Sequence, residues 1–244
     1  MRIKLVIEYD GTAYSGWQRQ DKEISVQQVI EDALLSLTGE KTVLHSAGRT
    51  DAGVHALGQA AHFDTQSRIP ADKFSFALNT ILPPDVRIRD SGEAGAEFHA
   101  RFSAKCKHYR YVIQNSPHAS AIERDHSMHV PLPLDTDKMR RAAAHLVGEH
   151  DFSAFTSMQL RVRSAVRTVY GIEITRENSF VRIDVTGNGF LYNMVRIIAG
   201  TLIYVGIGKL EPEDVAVILE SRDRRKAGIT AKPQGLFLVE VRYE

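Results

Sequence analysis

The run Phe190-Leu191-Tyr192-Asn193-Met194-Val195-Arg196-Ile197-Ile198-Ala199-Gly200 constrains the fold more than any other stretch of this chain. Read as a helix, it is apolar almost all the way round and must be buried. A helix with no wet face needs other elements packed around it, and the rest of the sequence has to supply them. One cation, Arg196, sits inside the run. A buried guanidinium without an anion is costly, so Arg196 either meets an acid or snorkels to the rim. Gly200 lies one turn on, on the same face, and lets another backbone come close.

The surrounding elements follow in order. Residues 3–9 alternate and read as a strand. Ser25 with Gln28 makes a capping box for a helix whose face is Val26, Val29, Ile30, Ala33, Leu34 and Leu37, with Gly39 as its stop. A strand over 59–64, a helix over Pro70–Leu78 and a strand at Val86–Arg89 complete a first half. Phe98–Ala104 crosses to a second half, which divides the chain into 1–103 and 104–244. There the patterning predicts a strand over Lys105–Ile113 and a helix over Asp135–Val147 that stops at Gly148. Strands over 171–175 and 180–186, a helix over Glu211–Glu220 and a final strand over 235–241 follow the same logic. The fold class is α+β: two similar units, helices packed on one side of each sheet, the sheets able to join edge to edge.

Composition narrows the partners. With 244 residues, 43% hydrophobic and 25% charged, the chain is an ordinary soluble globular protein with room for real cores. A formal net charge of +1 gives no global pull toward nucleic acid, so an RNA partner would need local basic patches. Cys106 is the single cysteine, which excludes an intramolecular disulfide and argues against a cysteine-rich zinc site. No apolar run is long enough to span a membrane, and the alternating N-terminus reads as a strand, not a signal peptide. Cytoplasmic residence is the simplest expectation. His126 and His129, with no nearby cysteine or acid pairing, do not fill a zinc shell, and no Rossmann or P-loop signature occurs.

Four clusters carry possible chemistry. Ala47-Gly48-Arg49-Thr50-Asp51-Ala52-Gly53-Val54-His55-Ala56 sets one carboxylate between Arg49 and His55, bracketed by glycines, ahead of a strand. An Asp so placed either caps its own turn or works on a ligand. Tyr14, Trp17, Gln18 and Arg19 either stack on bases and touch phosphate or fold the one Trp onto the core. Lys105, Lys107, Tyr109, Tyr111 and Ile113 share one strand face, which is RNA-facing or simply exposed. Arg161, Arg163 and Arg167, and farther on Arg222, Arg224, Arg225 and Lys226, are phosphate contacts or solvated faces.

The wording of the first cluster, AGRTDAGVHA, closely resembles the catalytic motif of the tRNA pseudouridine synthase A family. The resemblance implies that Asp51 is the catalytic residue and that Arg49 enters the RNA when the target base flips out. It continues in Gly16-Trp17-Gln18-Arg19, in His108-Tyr109-Arg110-Tyr111, where Tyr109 matches the active-site tyrosine, and in an Arg-x-x-x-Arg segment that points to Arg163 and Arg167. Phe-Leu-Tyr-x-Met-Val-Arg is a further family motif, whose Arg pairs with the catalytic Asp, and it selects Arg196. Leu236 matches a leucine that packs against the active site. By resemblance the fold is two α+β units with the active cleft between them. The reaction is isomerisation of uridine to pseudouridine at positions 38, 39 and 40 of the tRNA anticodon stem-loop, without metal or cofactor, in a homodimer. Two rival classes are a non-catalytic RNA-binding module and a glycoside hydrolase. The first leaves an acid flanked by Arg49 unexplained, and the second needs another carboxyl that does not stand out.

Overall fold

The computed structural model describes residues 1–157 and 164–244. Arg161 and Arg163 lie outside the described residues. The described backbone is mixed α+β and forms two compact units, one of residues 1–105 with 237–244 and one of residues 106–236.

The first unit contains β1 (Arg2–Tyr9), α1 (Val26–Thr38), β2 (His45–Ser46), β3 (His55–Asp64), α2 (Phe74–Asn79) and β4 (Val86–Ala94). β1 is central and pairs antiparallel with both β3 and β4. Its alternation puts Ile3, Leu5, Ile7 and Tyr9 in the core. α1 starts where Ser25 accepts from the Gln28 N–H at 3.3 Å and stops at Gly39 in the left-handed region. Its buried face includes Gln27, while Val29 and Leu37 are half-buried. The Gln27 amide is buried at little cost because it donates to Glu31 Oε1 at 2.8 Å and to the Leu44 carbonyl at 3.3 Å. The helix expected over Pro70–Leu78 is a 3-10 turn at Ala71–Lys73 followed by α2. Trp17 is 1% exposed and tilts against Tyr9 at 5.9 Å, so it is a core residue and not a platform for bases. Arg19 beside it is held by Glu31 and Asp32.

The second unit contains β5 (Cys106–Asn115), β6 (Met128–Val130), α3 (Thr136–Ala144), β7 (Gly148–Asp151), β8 (Val166–Glu177), β9 (Phe180–Gly187), α4 (Met194–Gly206) and α5 (Asp214–Ser221). β5, β9, β8 and β7 form an antiparallel ladder in that order, and β6 adds to β5 in parallel. β5 corrects one expectation. Tyr109, Tyr111 and Ile113 do share a face, but it is a buried one and not an exposed surface; Tyr111 and Ile113 are fully enclosed, and Tyr109 at its end keeps 8% exposure. The opposite face carries His108 and Arg110, both bonded to Asp184 Oδ1, at 2.6 and 2.9 Å. α4 begins at Met194, after Asn193 in the left-handed region, so Phe190–Tyr192 precede the helix. It is buried on nearly every side. A Cβ on Gly200 would lie 1.9 Å from the Ile229 carbonyl oxygen, and the segment around Ile229 crosses there in direct backbone contact.

The last strand, β10 (Leu236–Arg242), was read with the second half, but from Phe237 onward it belongs to the first unit. It pairs in parallel with β3, Phe237 opposite His55 and Leu238 opposite Ala56. Lys105 N–H donates to the Arg242 carbonyl at 2.9 Å, and the Tyr243 hydroxyl donates to the Ala100 carbonyl at 2.9 Å. No helix among the described residues is long and apolar enough to cross a membrane.

Candidate active site

The segment 47–56 is held by the framework of its own unit. Ala47 N–H donates to the Ala60 carbonyl at 2.7 Å, and Gln59 Nε2 donates to the Gly48 carbonyl at 2.8 Å. The entry to the loop is therefore pinned to β3. Thr50 is buried; its hydroxyl bonds the Tyr9 hydroxyl at 2.7 Å, and its carbonyl accepts from Trp17 N–H at 3.1 Å. Gly16 makes that approach possible, because it has φ 88° and a Cβ there would sit 2.6 Å from the Thr50 oxygen. At the exit, Val54 N–H donates to the Asp51 carbonyl at 3.2 Å and Gly53 N–H to the Tyr14 carbonyl at 3.3 Å. His55 is buried, accepts from Gly11 N–H at 3.0 Å and stacks on Phe237 at 4.7 Å. Thr50 is thus drawn inward, while Arg49 is exposed and Asp51 half-buried on either side of it. Trp17, expected near substrate, serves here as the wall that fixes Thr50.

In the second unit Arg196 lies in the first turn of α4, and Tyr109 meets Phe190 just ahead of it. Arg196 is half-buried and makes neither a bare buried charge nor a simple rim contact. Its Nε donates to the Ala231 carbonyl at 2.8 Å, and its Nη1 donates to Asn193 Oδ1 at 2.7 Å. The backbone returns the tie, since Ala231 N–H donates to the Arg196 carbonyl at 3.1 Å. Next along the chain, the Lys232 carbonyl accepts from the Tyr111 hydroxyl at 2.7 Å. Burial pushes the Tyr111 phenol up from its ordinary value, with the Arg196 charge opposing, so Tyr111 stays a neutral donor. Tyr109 is 8% exposed and meets Phe190 edge-on at 5.3 Å. Leu236 is buried at the start of β10.

Arg167 lies on β8 and donates through Nη1 to the carbonyls of Ser164 and Val166, at 3.0 and 2.6 Å. Partial burial lowers its guanidinium from the ordinary arginine value. The basic run near α5 has structural work: Arg222 pairs with Asp151 at 3.1 Å, Arg225 with Asp223 at 2.8 Å, and Arg224 donates to the Gly228 carbonyl at 2.8 Å. His129 uses Nε2 on the Ser116 carbonyl at 2.7 Å. The sequence reading missed Asn193, Ala231 and the hydroxyl of Tyr111 as partners in this cluster. Asn193 was within reach, standing three residues before Arg196 in the same motif.

A family model described as tRNA pseudouridine synthase matches residues 5–103 and 142–244. The chain belongs to the tRNA pseudouridine synthase family. These enzymes are isomerases, and the matched residues include the Asp51 loop, Arg167, Arg196 and Leu236, with Tyr109 in the interval between. A tRNA pseudouridine synthase A of Ruminiclostridium cellulolyticum is 55% identical over 243 residues, 99% of each chain. One of Acetivibrio thermocellus is 52% identical over 241 residues, again 99% of each. Among solved structures, a chain of an H/ACA RNP bound to a substrate RNA containing 2'-deoxyuridine aligns with a TM-score of 0.40 at 15% identity, covering 83% of this chain and 44% of that one.

Proposed function

We propose that this chain isomerises uridine to pseudouridine in tRNA, at positions 38, 39 and 40 of the anticodon stem-loop, with Asp51 as the catalytic carboxylate. One observation carries the residue assignment. The Arg-Thr-Asp triplet of a tRNA pseudouridine synthase chain has its Thr locked inward, with the cation exposed on one side and the acid half-buried on the other.

The reaction breaks the N1–C1′ bond, turns the uracil, forms a C5–C1′ bond, releases the C5 proton and puts a proton on N1. Atoms and electrons balance without an oxidant. Asp51 can do its part by attacking C1′, by adding to the base or by taking a sugar proton, and each route needs the ionised carboxylate. In this proposal Arg196 supplies the positive charge that favours that form. Tyr109 stacks on the uracil and takes the C5 proton at the end. Arg49 fills the space that the flipped nucleotide leaves. Leu236 packs against the base, and Arg163 and Arg167 meet phosphates. Work at three neighbouring positions demands tolerance of base identity, which suits readout of backbone and shape.

Tritium release from tRNA labelled at C5 of uridine tests the reading. The expected result is release with no loss of base, and pseudouridine at positions 38–40. An RNA-binding module releases nothing, and a glycoside hydrolase frees the base; either result overturns the proposal.

A further inference from the structure

We infer that Asn193 is a positioning residue for Arg196, an inference that rests on the function proposed above. Asn193 is the N-cap of α4, where an Asn ordinarily turns its side-chain oxygen onto the helix's own free N–H groups. This one makes no such bond. Its Oδ1 instead accepts from Arg196 Nη1 at 2.7 Å, and its Nδ2 donates to Ser157 Oγ at 2.7 Å. The amide orientation follows from chemistry, since a guanidinium only donates and so must face the oxygen. The backbone is specialised as well. Asn193 has φ 59°, a conformation that Asn and Gly tolerate and most residues do not.

A helix start that gives up its own cap to hold a cation is arranged for that cation. Arg196 is gripped from two directions, by the Ala231 carbonyl on Nε and by Asn193 on Nη1. These two bonds, on different nitrogens, together set the plane of the guanidinium. Asn193 is anchored in turn: Ser157 holds its amide, and the neighbouring Thr156 hydroxyl donates to the Tyr192 carbonyl at 3.1 Å. The chain at Thr156–Ser157 and the turn at Tyr192–Asn193 are thus stitched side by side, and the guanidinium direction is set from that stitch. Any displacement of Thr156–Ser157 by bound RNA is passed to Arg196 through a single amide.

The test is Asn193→Gly, which keeps the left-handed backbone and removes the amide. With C5-labelled tRNA, kcat is expected to fall about 10- to 100-fold while KM and tRNA affinity stay within about twofold, as for a misaimed group. In an Arg196→Lys background the same change is expected to cost nothing further, because its effect runs through the guanidinium. Ser157→Ala leaves the helix start untouched and is expected to lower kcat by a smaller factor, about threefold, so a poorly folding Gly variant does not shield the inference. A readout without turnover separates the two claims. In nitrogen-edited NMR, the Arg196 Nε–H, identified by its loss in Arg196→Lys, should exchange with water about tenfold faster in Asn193→Gly. Wild-type kcat in Asn193→Gly, losses that multiply in full with Arg196→Lys, or unchanged Nε–H exchange would each overturn the positioning role. Absence of tritium release in the wild type overturns the proposed function instead, and leaves the exchange measurement to decide this one.

Discussion

Thr50 is the residue on which the Asp51 loop turns. Its hydroxyl and carbonyl are both spent on buried partners, Tyr9 and Trp17, so the loop has one inward anchor between an exposed Arg49 and a half-buried Asp51. Asp51→Asn preserves shape and removes charge. Turnover is expected to drop more than about a thousandfold, with tRNA binding within about twofold, because affinity comes from dispersed cations. Turnover within tenfold of wild type, measured by tritium release, would remove Asp51 from the mechanism. Thr50→Val should cost about 1–3 kcal/mol of stability by stranding the Tyr9 hydroxyl, read from denaturant melts. The motif itself was legible because its chemistry is contiguous: acid, cation and glycines lie within six residues. The grip on Arg196 was not, since Ala231 is 35 residues away and contributes only its backbone. A carbonyl has no sequence signature.

Among the elements, α4 and its glycine make the sharpest stability prediction. Gly200→Ala would place a methyl 1.9 Å from a backbone oxygen, which cannot swing aside as a side chain could. The expected loss is about 3 kcal/mol or more, seen as a lower denaturation midpoint; an unchanged midpoint contradicts the close crossing. The core character of α4 was readable because a nearly continuous apolar run has no other home. The face of β5 was misread because alternation states which residues share a side and not which side is wet. β2, β6 and β7 are two, three and four residues long, too short for a period to show. β2 nonetheless brings His45 against His62 at 5.1 Å, and His99 meets His62 edge-on at 4.8 Å. His62 is 2% exposed and accepts from Ala100 N–H at 3.2 Å. Burial first, then the charges of His99, His45 and Arg2, hold it down to about 4, with Asp64 opposing. A folded value below the unfolded one means that neutral His62 favours the fold above about pH 6.5, and that this support is lost as pH falls toward 4. Stability should decline by up to about 1.4 kcal/mol per pH unit in that window from this group. His62→Gln should flatten the decline by about one proton; denaturant melts at pH 7 and pH 5 check it, and an unaltered slope refutes it.

For the molecule as a whole, a net charge of +1 leaves self-association electrostatically unhindered. We propose a homodimer, to be checked by light scattering at micromolar concentration; a fully active monomer would exclude it. Fold class was legible because strand and helix periods alternate along both halves, but the destination of the last strand was not, since a parallel partner is chosen by topology rather than by pattern. That destination also shapes how the protein comes into being. The first unit draws its final strand from Phe237 onward, after the whole span 106–236 has been made. At about 5–20 residues per second, a ribosome needs on the order of ten seconds to cross that span. Throughout the interval β3, already beside β1, waits with the edge that later takes β10 open at His55 and Ala56, beside the loop that carries Asp51. A strand edge open to solvent is a template for foreign chains. The nascent protein is therefore most exposed to mispairing while the Asp51 loop is already made but the strand beside it is not.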